Sequence, residues 1–194
     1  MDQHQLMDAL LEQGYDVILL GLDQGDDRIQ ANAGLVEAVV HKLHGLTDAP
    51  LVLAGMSMGG LVLRYALTRM EHQGQAHRCA VMLTLDTPHG GAYTSLAAQW
   101  FAQHFAAVDD GLKRLAALLD SPANQQFMLQ WLHGQRVEVS PLRLEFVDEL
   151  RALFFAHAGY RPCQHILRLD VARRNLVANE INGVFKHKLV LVGV

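Results

Sequence analysis

The fold is decided by the stretch Leu51 to Met70, which reads LVLAGMSMGGLVLRYALTRM. Its first four residues, directly after Pro50, form a short apolar run that predicts a buried strand. Leu61 to Met70 is apolar almost all round, the pattern of a helix packed under a sheet. The pattern Gly-x-Ser-x-Gly, at Gly55 to Gly59, stands at the junction and predicts a sharp turn from strand to helix.

The same alternation of strand and helix extends to both sides of this stretch. Tyr15 to Leu22 is apolar without alternation, as expected of a strand buried on both faces, and Cys79 to Leu85 predicts a third strand. Between the first two strands, apolar residues recur at helical spacing from Leu35 until Gly45, and Asp26 and Asp27 offer a helix N-cap. Strands that alternate with helices predict an α/β fold with a mostly parallel sheet and right-handed crossovers.

The rhythm changes after Gly91. Residues 93–157 read as four helices without a clear strand, and Ser121-Pro122 and Ser140-Pro141 each look like an N-cap followed by proline. Strand-like sequence returns at His165 to Val171 and at Lys188 to Val194. We therefore predict one domain over residues 1–194, with a helical insertion at 93–160.

Composition excludes several classes of protein. The 194 residues carry a formal net charge of −4 with no basic block, which argues against nucleic-acid or anionic-membrane binding. The longest apolar run is strand-length, so no transmembrane segment is predicted, and the polar start MDQHQ is unlike a secretory signal. The two cysteines show no metal-site spacing, and His41 and His44 fit a solvated helix face better than a metal pair. We predict no cofactor and no metal, and the sequence specifies neither compartment nor oligomeric state.

The Gly-x-Ser-x-Gly pattern carries a chemical prediction. A serine on a strained strand-to-helix turn projects its hydroxyl above the sheet, and side chains at Gly55 and Gly59 would collide with neighbouring backbone. Ser57 is the predicted nucleophile for attack on an ester carbonyl. The backbone N–H of Met58, at the positive end of the following helix, is the predicted oxyanion donor.

These residues carry a resemblance to a family. GMSMGGLVLRYAL resembles the nucleophile elbow of lipases and esterases in the α/β-hydrolase superfamily, and LTLDTPHGGA resembles the segment that follows it there. YDVILLGLDQGDDRIQANA and SPANQQFM are similar to stretches of bacterial lipase-like hydrolases, so the resemblance spans about Tyr15 to Leu169. It implies hydrolysis of a small-molecule or lipid-like carboxylic ester through an acyl-Ser57 intermediate, with the helical insertion as a cap or lid.

A serine hydrolase also needs an acid. Asp86 follows directly on the strand after the predicted elbow, a position that some lipases use for the triad acid. The alternative is a loop aspartate that caps the Thr87-Pro88 turn. Asp170 is the rival acid, although it appears inside the next strand.

The histidine base is the gap in this prediction. In the chain order Ser, Asp, His it is expected after the last strand, and Lys188 to Val194 ends the sequence. The other histidines lie elsewhere: His89 in the TPHxG segment is expected to be structural, and His187 precedes its strand. Five more follow the elbow helix or belong to the insertion: His72, His77, His104, His133 and His157. The upstream strands and the HG-type oxyanion loop of the family also have no counterpart in the sequence.

Two alternatives to an active esterase therefore stay open. The chain is either a truncated or catalytically inactive hydrolase that lacks the base, or an acyltransferase or thioesterase that uses the same elbow. The insertion is rich in large apolar residues, which we interpret mostly as its own core, with an acyl pocket as the alternative. These residues are Trp100, Phe101, Phe105, Leu115, Phe127, Trp131, Leu132, Phe154 and Phe155.

Overall fold

A computed structural model describes residues 3–155, 165–169 and 188–193. The described residues form seven helices and seven strands and make a mixed α/β protein, as predicted. The helices are α1 (Gln3–Glu12), α2 (Ile29–His44), α3 (Met58–His72), α4 (Leu96–Phe105), α5 (Asp110–Leu119), α6 (Pro122–Phe127) and α7 (Pro141–Phe155). The strands are β1 (Val17–Gly21), β2 (Leu51–Met56), β3 (Cys79–Leu85), β4 (Trp131–His133), β5 (Arg136–Glu138), β6 (His165–Leu169) and β7 (Lys188–Gly193).

Five strands make a parallel sheet in the order β1-β7-β2-β3-β6. The strands β1 and β2, joined through α2, are not neighbours, because β7 lies between them and pairs with both. All five strands therefore end at the same edge of the sheet. Val192 lies beside Gly55 at that edge, and Lys188 lies beside Leu51 at the opposite edge.

Each face of the sheet packs against a separate apolar cluster. Because successive side chains of a strand point to opposite faces, Leu51 and Leu53 join the larger cluster with α2, α3 and α7. Val52 and Ala54 join the smaller cluster, which includes Leu10 of α1. The strand β2 is consequently buried on both faces.

The expectation that the first strand is buried on both faces is wrong. Among the described residues, β1 is an edge strand, and Leu19 is 68% exposed on the sheet face opposite α2. A run of apolar residues is compatible with burial of a strand on both faces. Whether other elements cover both faces is decided by the tertiary structure.

The segment between β3 and β6 contains the four predicted helices, α4 to α7. The N-cap predictions are confirmed: the Ser121 hydroxyl accepts the N–H of Asn124, and Ser140 directly precedes Pro141, the first residue of α7. The expectation of no strand is wrong, because β4 and β5 form an antiparallel hairpin across Gly134-Gln135. Gly134 has φ 60°, and a two-residue loop that begins with glycine is the sequence signal for such a hairpin.

The start of α2 also differs from the prediction. Arg28 is its N-cap residue and makes no side-chain cap, and the carboxylate of Asp27 accepts the N–H of Arg28 instead. The buried N–H of Ile29 donates to Oε1 of Gln126, a residue of α6 that lies 97 positions later in the chain. An N–H group at the start of the helix has no acceptor within the helix. Here it donates to a distant side chain rather than to a nearby aspartate.

The last helix of this segment, α7, packs against α3. Phe146 is 3% exposed and belongs to the larger cluster, with its ring 5.9 Å from that of Tyr65. The Tyr65 hydroxyl donates to the Glu149 carboxylate at 2.5 Å, and that carboxylate also accepts from Gln30 of α2 at 2.7 Å. The three helices are therefore joined by apolar packing and by a shared carboxylate. In the part of the chain that is described, no helix is long and apolar enough to cross a membrane.

Candidate active site

Ser57 occupies a strained turn between β2 and α3. Its backbone has φ 51° and ψ −124°, which corresponds to the first central position of a type II′ turn, where glycine is favoured. Such a conformation in a residue with a side chain raises the free energy by about 1–3 kcal/mol and persists only where surrounding contacts enforce it. The Ser57 N–H donates to the carbonyl of Leu85 at 2.8 Å, and its carbonyl accepts from Gly60 at 3.2 Å.

Two glycines allow the helix to start this close to the sheet. A Cβ atom at Gly55 would lie 2.7 Å from the carbonyl carbon and oxygen of Gly59, which are backbone atoms. A Cβ atom at Gly60 would overlap the side chain of Thr87. The turn is thus packed so tightly against α3 and the loop after β3 that the Ser57 conformation has little freedom, and the Ser57 side chain is exposed.

Asp86 lies beside Ser57 because the two strands are in register. Met56 pairs with Leu85, so the residues that follow them stand next to each other at the carboxyl edge of the sheet, where neighbouring strands are about 4.8 Å apart. Asp86 also has positive φ, 49°, and is exposed. The sheet thus places Ser57 and Asp86, which are 29 positions apart in sequence, directly after the ends of two neighbouring strands.

Met58 is the first residue of α3 and is 9% exposed. The first N–H groups of a helix have no intrahelical acceptor, and the helix dipole places partial positive charge there. The start of α3 can therefore stabilise negative charge on an oxygen held near the Ser57 hydroxyl.

His89 lies in the loop after β3, three residues beyond Asp86. Its Nε2 atom is 3.2 Å from the hydroxyl of Thr84, which is 2% exposed within β3. Thr84 lies on the same face of β3 as Met82, the face that packs against α3. The imidazole therefore contacts the α3 face of the sheet, the face on which a cavity also lies.

Several histidines lie at the amino edge of the sheet, opposite Ser57. His77 precedes β3; its Nδ1 accepts the N–H of Cys79 and its Nε2 is 2.9 Å from the Glu71 carboxylate, so the proton is assigned to Nε2. His41 bonds to Gln75. Burial lowers the pKa of His44 below its ordinary value, and the charges of Arg78 and of the neighbouring histidines act in the same direction. These groups are too far along the sheet to act on Ser57.

Two histidines of the inserted segment stack on tryptophans. The His104 ring lies 4.5 Å from that of Trp100, and the His133 ring lies 4.6 Å from that of Trp131. Asp170, His157 and His187 lie outside the described residues, so the rival acid has no described position.

The interpretation of the apolar residues as the insertion's own core is wrong for four of them. Trp131 and Leu132 are buried, and Phe127 packs against the larger cluster. The four exposed side chains are Trp100 at 52%, Phe101 at 49%, Phe105 at 36% and Leu115 at 39%. They belong to α4 and α5, and none of the residues of α5 is buried. The side chains of Phe154 and Phe155 lie outside the described set.

Sequence reasoning missed the residues that hold the loop after β3. Arg143 of α7 donates to the carbonyl of Gly90 at 2.7 Å and to that of Gln126 at 3.1 Å. Gly91 has φ 104°, and a Cβ atom there would overlap the Arg143 guanidinium. Gly90 and Gly91 indicate that another part of the protein comes close to this loop. The residue that does so, Arg143, is more than 50 positions away in the sequence.

No group of three or more potential metal ligands occurs among the described residues. No protein-family model matches the sequence, and neither a curated protein nor a solved structure gives a significant match.

Proposed function

We propose that this chain is a serine hydrolase of the α/β-hydrolase type, which cleaves carboxylic esters through an acyl-Ser57 intermediate. The observation that carries the proposal is the strained backbone of Ser57, an exposed serine held at φ 51° between β2 and α3. Backbone strain of this kind concentrates at functional sites, and the strand-turn-helix setting is the one in which Gly-x-Ser-x-Gly acts as a nucleophile elbow.

In the proposed reaction the Ser57 Oγ attacks the ester carbonyl carbon as its proton passes to a base, and the alcohol leaves with a proton. The developing oxyanion is stabilised by the Met58 N–H at the start of α3. Water then attacks the acyl ester, releases the carboxylic acid and restores the serine hydroxyl. Asp86 is the proposed acid of the triad, because the register of β2 and β3 sets it beside Ser57.

Residues 93–160 are proposed to act as the cap of this site. The exposed aromatic side chains of α4, Trp100 and Phe101, support a lipid-like substrate, since they leave an apolar surface available on the insertion.

A fluorophosphonate probe tests the proposal, because it reacts with activated serine hydroxyls. We expect covalent labelling of the peptide that contains Ser57, and loss of labelling in Ser57→Ala. Ser95→Ala is the matched control, since Ser95 is also exposed but caps α4 with an ordinary φ of −51°. A folded chain whose Ser57 peptide takes no label would show that the proposed nucleophile is inactive.

Hydrolysis of p-nitrophenyl butyrate measures the reaction itself. We expect Ser57→Ala to reduce the rate by about 10³-fold or more, the scale seen when a triad member is removed. Asp86→Asn keeps the shape of the side chain and removes its charge, so it tests the proposed acid separately from the nucleophile. A butyryl thioester and an alcohol acceptor, assayed alongside, distinguish an esterase from a thioesterase or an acyltransferase.

A further inference from the structure

A cavity of about 420 Å³ lies between α3, the loop after β3 and α7. Part of its lining is apolar and is formed by residues of the larger cluster and of its margin, among them Phe146, Val147 and Leu150. The lining also includes three arginines, Arg64, Arg143 and Arg151. None of the described residues that line the cavity is acidic.

The helix α7 supplies apolar residues and two of the arginines of the lining from a single face. Phe146, Val147, Leu150 and Arg151 lie three, four, seven and eight positions after Arg143, so these side chains lie along one stripe of the helix. The stripe is apolar in its middle and cationic at its two ends. A ligand that lies along α7 would meet an apolar floor with a guanidinium group at either end.

Arg143 is a partly enclosed residue of this lining. It is half-buried, and the hydrogen bonds seen for it run to the carbonyl oxygens of Gly90, Gln126 and Phe127. No carboxylate forms an ion pair with Arg143 within the described portion of the chain. Burial lowers the pKa of the Arg143 guanidinium, as expected of a cation that is desolvated without a counter-ion.

Two of the three acidic residues of α7 are engaged away from the cavity. Glu145 forms an ion pair with Arg28 at 3.1 Å, and Glu149 accepts from Tyr65 and Gln30. Asp148 pairs with Arg151 at 3.3 Å, but both side chains are more than two-thirds exposed, so this pair is weak. Arg143 is therefore a half-buried cation of the lining with no ion-pair partner among the described residues, and a bound anion would offset its desolvation penalty.

We propose that this cavity binds an amphiphilic anion, with its carboxylate or phosphate held by Arg143 and Arg151 and its apolar chain along Phe146 and Leu150. The volume lies within the range of small-molecule sites. The planar fork of arginine suits either head group, since it donates two parallel hydrogen bonds to a carboxylate or a phosphate. The site does not include Ser57 and goes beyond the proposed ester hydrolysis.

Calorimetric titration of the folded Ser57→Ala chain measures binding without turnover, so its outcome is independent of whether Ser57 is a nucleophile. The probes are octanoate, octyl phosphate, inorganic phosphate and 1-octanol, all at the same ionic strength. We expect saturable binding of octanoate or octyl phosphate, at least about tenfold tighter than 1-octanol, because a charge-assisted bond contributes on that scale. The tighter of the two octyl compounds identifies the head group.

Equal binding of 1-octanol and the octyl anions would overturn the proposal, since the cavity would then be apolar only. If inorganic phosphate binds as tightly as octyl phosphate, the octyl chain contributes nothing to binding. The proposal of an amphiphilic ligand would then be overturned, and the cavity would be a site for a free anion. Absence of binding by all four compounds at millimolar concentration would overturn the site itself.

Substitutions of single arginines test whether the binding occurs in this cavity. Arg143→Lys keeps the charge and loses the fork, and we expect about tenfold weaker binding of the octyl anion. Arg151→Gln, at an exposed position, is expected to weaken it about two- to fivefold and does not disturb the loop that Arg143 holds. Arg114→Gln is the control, because Arg114 is exposed on α5 and lies outside the cavity lining. Effects no larger than that of Arg114→Gln would place the binding elsewhere.

Discussion

Replacement of Ser57 by glycine should stabilise the protein relative to replacement by alanine. Both changes remove the hydroxyl, but alanine keeps the Cβ atom in a conformation with φ 51° and ψ −124°. Glycine relieves about 1–3 kcal/mol of backbone strain. It also lowers stability by about 0.5–1 kcal/mol, because the unfolded chain has more conformational freedom. The net difference in the free energy of unfolding therefore lies within about 0–2.5 kcal/mol, and we expect a central value of about 1–1.5 kcal/mol in favour of Ser57→Gly.

Urea denaturation followed by circular dichroism measures this difference. For a chain of 194 residues, a gain of that size corresponds to a Tm about 3–6 °C higher for Ser57→Gly than for Ser57→Ala. Gln73 is the matched control position, exposed and at an ordinary φ of −83°, where Ala is expected to be more stable than Gly by about 0.5–1 kcal/mol. A Ser57→Gly chain that is no more stable than Ser57→Ala would show that the backbone conformation at Ser57 does not store the expected strain.

Three further substitutions test contacts elsewhere in the fold. Tyr65→Phe removes the hydrogen bond to the Glu149 carboxylate and should lower the free energy of unfolding by about 1.5–3 kcal/mol, measured in urea. Gln126→Ala leaves the buried N–H of Ile29 without its acceptor and should lower the same quantity by about 1–3 kcal/mol. Burial lowers the pKa of His44, so the unfolded chain binds the proton more readily and stability falls as the pH drops below about 6.5. We expect His44→Gln to flatten this dependence in melts between pH 7 and pH 5.

Each of these substitutions has a control of the same chemical type. Tyr93→Phe changes a hydroxyl on a residue that is 80% exposed, and Gln135→Ala shortens an exposed turn side chain. We expect either to alter the free energy of unfolding by no more than about 0.5 kcal/mol. His133→Gln, at an exposed position of the inserted segment, is the control for His44→Gln. If a control variant changes the measured stability or its pH dependence as much as its test variant does, the effect of the test variant cannot be assigned to the contact it removes.

Local sequence was sufficient wherever neighbouring residues determine the conformation. Glycine at Gly55 marks the place where α3 comes too close to β2 for a Cβ atom, and that single requirement identifies the turn at Ser57. Serine followed by proline identified the starts of α6 and α7, because the cap bond closes within three residues. Asp86 was found beside Ser57 for a similar reason, since each directly follows its own strand in a parallel pair.

The features that local sequence did not predict depend on partners far along the chain. An apolar strand sequence carries no information about its place in a sheet, so nothing in KLVLVG indicates that β7 separates β1 from β2. The amide of Gln126 reaches the start of α2 over 97 positions, and the guanidinium of Arg143 reaches Gly90 over 53. Residue types at a strand-to-helix junction thus determine the Ser57 turn. The packing of α7 against α3 and of α6 against α7 determines the cavity and the loop beside that turn, because those contacts exist only once distant segments have come together.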